Sequence, residues 1–339
     1  MSKAIKKIIG NFTDFLKKEK GYSQHTFIAY KSDLENFFIF CEEYFGSRDI
    51  DLKKINRQIV REYLSFQLEL GNSVKTRYRK LATIKSFFKY MIREKTIIDS
   101  PAEYIPMPKI EKKIPRFIQQ GDNINQLMSK PEEFEQKKYF QAEKKNKKRI
   151  RTEIREQRIL RDRAMLELFY ASGIRRSELV SLNIGSIDLQ NRLLKVLGKG
   201  KKERIVPFNR FAEVAMKNYV KHRGIVWNKD LNAPLFTGPN QKRISIRTVS
   251  RRIGEYVKDL SVNNFDKVNF NNQNEPKLGE GGPHTLRHTF GSHLIDNEAD
   301  IRAIQELLGH SSISSTQIYT NTSAKKIKKV YKKAHPRGQ

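Results

Sequence analysis

Between residues 101 and 115 the chain carries Pro101, Pro106, Pro108 and Pro115. Proline lacks a backbone N–H and pushes the residue before it out of the helical region, so prolines at this density cannot continue a helix. The stretch reads as an extended tether. With 339 residues in all, there is enough chain on either side for a unit with its own core. The expected division is a first unit over residues 1–105, a linker over 106–117 and a larger unit over 118–339.

Before the tether, apolar residues fall into helical spacing four times. Ile5, Ile8, Ile9, Phe12, Phe15 and Leu16 make the first stripe, and Tyr30, Leu34, Phe37, Phe38 and Cys41 the second, behind a cap at Ser23. Ile59, Tyr63, Leu64 and Phe66 predict a third helix over about 57–70. Leu81, Ile84, Phe87, Phe88 and Met91 predict a fourth over about 74–93. The polar side of the fourth carries Lys75, Arg77, Arg79, Lys80, Lys85 and Lys89.

Alone, that basic side reads as a solvated face. Charge makes phosphate contact an equal alternative: 67 Lys and Arg stand against 37 Asp and Glu, a formal net charge of +30. Such an excess draws in a polyanion, and a nucleic-acid backbone is the commonest one. A membrane surface would suit the charge too, but no apolar span or amphipathic anchor accompanies it. The single cysteine, Cys41, excludes an internal disulfide and a thiolate metal cage, and reads as a small buried hydrophobe. Met1 to Ile9 lacks the apolar core of a secretory signal, so the cytoplasm is the expected compartment.

Beyond the tether, residues 137–163 hold twelve basic and four acidic residues. They predict a long charged helix running into the apolar Ala164–Ala171, either an exposed insertion or a DNA-facing element. Arg192–Leu197 and Arg204–Phe208 have strand character around Gly198-Lys199-Gly200-Lys201-Lys202-Glu203, which predicts a β-hairpin with a basic turn. Residues 263–282 are rich in Asn and Gly and read as a loop. Helices are expected over about 283–296 and 300–308, with Gly309 as a stop, then over 315–319 and 324–333.

Four segments bear chemistry. Gly173-Ile-Arg175-Arg-Ser-Glu178-Leu places Arg175 in a tight turn between helices. The hairpin tip puts Lys199 between two glycines; it is not a phosphate-binding P-loop, which needs a different glycine spacing and a following helix. Pro283-His284-Thr-Leu-Arg287-His288 sets His284 and Arg287 on one face of a helix start. Its two histidines do not make a zinc protease, because Thr285 stands where that chemistry needs a glutamate. Leu307-Leu-Gly-His310 is followed nine residues later by Tyr319. Singly, each reads as a surface or core residue, and Tyr219, Tyr256 and Tyr331 look no different from Tyr319.

In their order and spacing these segments resemble the Xer branch of the tyrosine recombinase (phage-integrase) family. The shared stretches are Gly-Ile-Arg-x-Ser-Glu-Leu, Leu-Gly-Lys-Gly-Lys-Lys-Glu-Arg-Ile-Val-Pro, Pro-His-x-Leu-Arg-His-x-Phe and Leu-Leu-Gly-His-x5-Thr-Gln-Ile-Tyr. The resemblance extends to the N-terminal helices and to His335-Pro336-Arg337; residues 137–157 and 263–277 look longer than the usual connections.

The resemblance implies a mainly α fold with a small antiparallel β-sheet, a SAM-like N-terminal helical bundle and a catalytic domain forming a C-shaped clamp. It implies DNA cleavage by Tyr319 without metal, cofactor or ATP. Arg175, Lys199, His284, Arg287 and His310 would assist and Glu178 would support them. Candidates for further DNA contact are Lys75, Arg77, Arg79, Lys80, Lys201, Lys202 and Arg243. The implied partners are double-stranded DNA, a homo- or heterotetramer on two recombination sites and an FtsK-type translocase, with no membrane. The C-terminal helix either docks into a neighbour or folds onto its own core. The implied role is resolution of chromosome or plasmid dimers at a dif-like site; a mobile-element integrase, a type IB topoisomerase and a DNA-binding protein without catalysis are the alternatives.

Overall fold

The computed structural model describes residues 1–18, 24–110, 117–144, 152–198, 203–227, 229–264, 282–309 and 321–338. The chain divides into two compact units, Met1–Lys113 and Ile114–Gln339.

The first unit is built from α1 (Lys3–Lys18), α2 (Gln24–Phe45), α3 (Arg57–Glu69) and α4 (Val74–Arg93). The residues with helical spacing are the ones that meet: Phe12, Phe37, Phe38, Tyr63, Phe87 and Phe88 are fully buried and pack edge to face. Cys41 lies inside this core, and burial followed by the nearby Glu42 pushes its thiol up to about 12. Asn56 and Ser73 cap α3 and α4 by accepting backbone N–H bonds in their first turns. Ser23, the expected cap of α2, lies outside the described residues.

The second unit contains α5 (Asp122–Lys144), α6 (Thr152–Ser172), α7 (Arg176–Ser181), β1 (Ile187–Asp188), β2 (Leu193–Leu197), β3 (Glu203–Pro207), α8 (Arg210–His222), α9 (Ile246–Asn264), α10 (Pro283–Asp296), α11 (Ile301–Leu308) and α12 (Asn321–Ala334). The strands form one antiparallel sheet in the order β1-β2-β3, with Leu197 opposite Glu203 at the hairpin end. The C-terminal half of α6 is buried all round, as a helix apolar on every face must be, and α5, α8, α9 and α10 pack on it.

The charged stretch 137–163 is not one helix. Its first part ends α5 and its last part opens α6, with 145–151 outside the described residues. Each helix is held by apolar residues beyond the charge: Ile124, Leu127 and Met128 anchor α5, and the run from Ala164 anchors α6. A buried ionic cluster adds to this. Asp162 of α6 accepts from Arg252 of α9 at 2.6 Å and from the Tyr256 hydroxyl at 2.8 Å, while Arg252 also pairs with Glu135 of α5 at 2.7 Å. The expected helix at 315–319 and the loop from residue 265 lie outside the described residues.

α12 packs on α10, α11 and β3 of its own chain and buries Tyr331 and Ala334. After it, His335 is stacked on Tyr331 with ring centres 4.8 Å apart. Its Nε2–H donates to the Tyr170 carbonyl at 3.1 Å, and its Nδ1 accepts the Arg337 N–H at 3.1 Å. Arg337 then pairs with Glu167 of α6. No helix among the described residues is long and apolar enough to cross a membrane.

His335 must stay neutral here, because a second ring proton would face the Arg337 N–H. Burial, then the nearby His293 and Arg337, lower it to about 4, against the Tyr170 carbonyl, which raises it. The unfolded chain takes up this proton near 6.5, so protons favour unfolding. Stability should be full above that pH and fall as the pH drops toward 4, by on the order of 3 kcal/mol from this residue. Urea unfolding at pH 7.5 and pH 5 checks this, and His335→Gln should flatten the dependence.

Candidate active site

α6 ends at Ser172, and Gly173 reverses the chain with φ +58. A Cβ there would stand 2.4 Å from the Phe290 ring of α10, so glycine is needed for both the turn and the close packing. Arg175, in extended conformation, then caps α7. Its backbone N–H donates to Glu178 Oε2 at 2.7 Å and its Nη1 to Glu178 Oε1 at 3.0 Å.

Glu178 is buried and has a second partner. Arg204, from β3, donates Nη1 and Nη2 to the two carboxylate oxygens at 2.7 and 2.8 Å. This is the fork geometry in which guanidinium and carboxylate bind most strongly. Burial alone would raise the Glu178 pKa; the bonds and charge of Arg204, then Arg175, outweigh it and hold the carboxyl below its ordinary value.

The same arginines reach the end of α11. A helix leaves its last carbonyls without intrahelical partners and carries partial negative charge there. Three consecutive ones are each taken by a different side chain. Arg204 Nε donates to Leu307 O at 3.3 Å, Arg287 Nη2 to Leu308 O, and Arg175 Nη2 to Gly309 O at 2.9 Å. Gly309 turns the chain with φ +63, and an added Cβ would press on the Arg204 guanidinium at 3.1 Å. The next residue is His310.

Arg287, on α10, also donates Nη1 to Gly173 O. It is 9% exposed, and burial together with the neighbouring Arg175 pushes it down to about 10, against the pull of Glu178. The cluster therefore holds three guanidiniums and one carboxylate, an excess of positive charge in which Arg204, Arg287 and Glu178 are buried and Arg175 is half-buried. Each guanidinium has five N–H donors, more than these contacts of Arg175 and Arg287 use.

His284 opens α10 on the exposed side. The protein around its ring, then Arg176, His288, Arg287 and Arg175, keep its pKa below the ordinary imidazole value. It is thus neutral, and able to accept a proton, at pH 7.

Four sequence candidates, Arg175, Glu178, His284 and Arg287, are gathered here. Lys199, Lys201, Lys202, His310 and Tyr319 lie outside the described residues, although the strands flanking Lys199 are in place. Arg204 was missed: it stands in the quoted Lys-Lys-Glu-Arg-Ile-Val-Pro stretch but was given no role. The signal is the period of two in β3, which puts Arg204 on the buried side with Val206.

Among the other DNA candidates Lys75 is exposed and Arg77 half-buried. Arg79 pairs with the buried Asp33 of α2. Lys80 must be removed from the set: it is buried, with its ammonium 3.2 Å from the Tyr63 hydroxyl, because α3 covers that side of α4. Arg243 is exposed, but its guanidinium holds the Val180 and Leu182 carbonyls at 2.7 and 3.0 Å and so caps α7. His293 is a satisfied core histidine between Ile118 O and the Tyr170 hydroxyl, whereas His288 is exposed.

The chain matches the phage integrase family over residues 122–326 and the phage integrase N-terminal SAM-like domain over residues 9–95. It is 40% identical over 332 residues to a tyrosine recombinase XerC of Thermodesulfovibrio yellowstonii, covering 97% of this chain and 96% of that one. It is 33% identical over 331 residues to a tyrosine recombinase XerD of Staphylococcus epidermidis, covering 97% and 99%. Its fold is similar to that of the Tn1549 transposon integrase solved in complex with transposon right end DNA, with a TM-score of 0.61 at 19% identity over 94% of this chain and 97% of that one. The chain belongs to the phage integrase family and is a tyrosine recombinase of the XerC/XerD type.

Gly173→Ala should cost about 1–3 kcal/mol from backbone strain plus the clash with Phe290. Gly224→Ala, at φ +69 with nothing near its Cβ, should cost the backbone strain alone. Urea unfolding of the two variants side by side checks the difference.

Proposed function

We propose that the chain cuts and rejoins DNA through a 3′-phosphotyrosine on Tyr319, as an Xer-like recombinase resolving chromosome or plasmid dimers at a dif-like site. The observation that carries the chemistry is the meeting of Arg175 and Arg287 at the carbonyls of Leu308 and Gly309, directly before His310. Two permanent, forked cations side by side suit the non-bridging oxygens of a phosphodiester, and most of all the pentacoordinate state in which charge on them grows.

The phenolic oxygen of Tyr319 attacks phosphorus while the bond to the 5′-oxygen breaks. A free phenol has a pKa of about 10 and needs a proton acceptor at neutral pH. His284, held neutral, takes that proton, and Lys199 on the hairpin protonates the leaving 5′-oxygen. His310 hydrogen-bonds a phosphate oxygen. The phosphotyrosine keeps the bond energy for the return attack by a 5′-hydroxyl, so metal and ATP have no step to supply. Glu178 stays ionised and fixes Arg175. Tyr219, Tyr256 and Tyr331 are fully buried, which supports Tyr319 as the nucleophile.

Near-complete coverage by relatives named XerC and XerD supports dimer resolution over integration of a mobile element. On this reading four protomers, alike or of two kinds, act on two duplexes in the nucleoid, with a translocase of the FtsK type as activator.

A suicide duplex nicked beside a dif-like site should trap a protein–DNA adduct with the intact chain and none with Tyr319→Phe; an adduct with Tyr319→Phe would remove the assignment. A plasmid with two directly repeated dif-like sites should be resolved into two circles by the chain together with any second recombinase it needs. Single-site integration without resolution would favour the mobile-element role.

A further inference from the structure

We infer that Arg204 is a positioning residue of the cleavage reaction: it fixes Arg175 through Glu178 and holds the end of α11, from which the chain runs on to His310 and Tyr319. The inference rests on the reading of Arg175 as a phosphate-binding residue.

The side chain is buried, and its contacts lead to three separate segments. Its two terminal nitrogens hold both oxygens of Glu178 at 2.7 and 2.8 Å, and the same oxygens receive the backbone and side chain of Arg175. Its Nε holds Leu307 O at 3.3 Å. Its own backbone lies in β3, paired with Val196 of β2, beside the hairpin end that leads to Lys199. One guanidinium thus joins the segment of Arg175, the hairpin and the end of α11.

Lysine cannot replace it. An ammonium is a single point and cannot bond both carboxylate oxygens and the Leu307 carbonyl in a plane. Without the fork, Glu178 is free to turn and Arg175 loses its fixed orientation, even though the positive charge remains. Gly309 packs against the Arg204 guanidinium, so the α11 end would move with it. The effect should fall on the chemical step, since a displacement of about 1 Å at a reacting group costs roughly 10²-fold in rate. Affinity for DNA, spread over many phosphate contacts, should hardly change.

The test uses the full chain, a nicked suicide duplex at saturating protein, and gel-shift affinity for the same duplex. Arg204→Lys and Arg204→Met are each made in the intact chain and in Arg175→Lys, with thermal melting of every variant. The expected result is a loss of roughly 10²-fold in the rate of adduct formation with DNA affinity changed by less than about threefold. In the Arg175→Lys background most of that loss should vanish, because residues acting through one another are not additive. Equal losses in both backgrounds, an unchanged rate, or a loss confined to DNA affinity would each overturn the inference. So would failure of both Arg204 variants to fold, which makes the residue structural. An adduct formed by Tyr319→Phe would instead remove the underlying reading.

Discussion

Three guanidiniums close on the carbonyls of Leu307, Leu308 and the capping Gly309 at the end of α11, and one buried carboxylate makes their company tolerable. Arg175, Arg204 and Arg287 would repel one another at such close quarters, the more so because Arg204 and Arg287 are buried. The helix end offers partial negative charge and three orphan acceptors, and Glu178 supplies one full negative charge on which two of the three are bonded. What remains is a fixed excess of positive charge. On the proposed function, a phosphodiester oxygen would meet cations already oriented, so that little reorganisation is left for the transition state.

The rest of the second unit keeps those segments in register. α6 is the pillar: α7 follows its end through the Gly173 turn, α10 packs on its side, and the tail from His335 to Arg337 is bonded back to Tyr170 and Glu167. The buried Asp162, Arg252 and Glu135 tie α5 and α9 to it. Both site glycines serve the same purpose. Gly173 lets Phe290 and its helix come close enough for Arg287 to reach the turn, and Gly309 leaves room for the Arg204 guanidinium.

Much of this was legible. Helical spacing located α1, α3 and α4 to within two residues, and α10 matches its expected span of 283–296. The hairpin strands were displaced by one residue. α8 and α9 were not named, although Ala212, Met216, Tyr219 and Val220, and Val249, Ile253, Tyr256, Val257 and Leu260, repeat at helical spacing. α5 begins at Asp122, well before the charged stretch from residue 137, because the weak apolar stripe at Ile124, Leu127 and Met128 is what anchors it. Lys80 was misread because the residue that receives it, Tyr63, lies on another helix.

By itself the sequence determined the class, the two units, the family, and the candidate side chains for the chemistry. Those properties are carried by periods and motifs that are local in the chain. Only the tertiary structure decided which cations work together. Arg175 meets a carbonyl 134 residues away, and Arg204 meets its carboxylate across 26. No periodicity records such pairings; they exist because packing around α6 brings remote segments within hydrogen-bond distance.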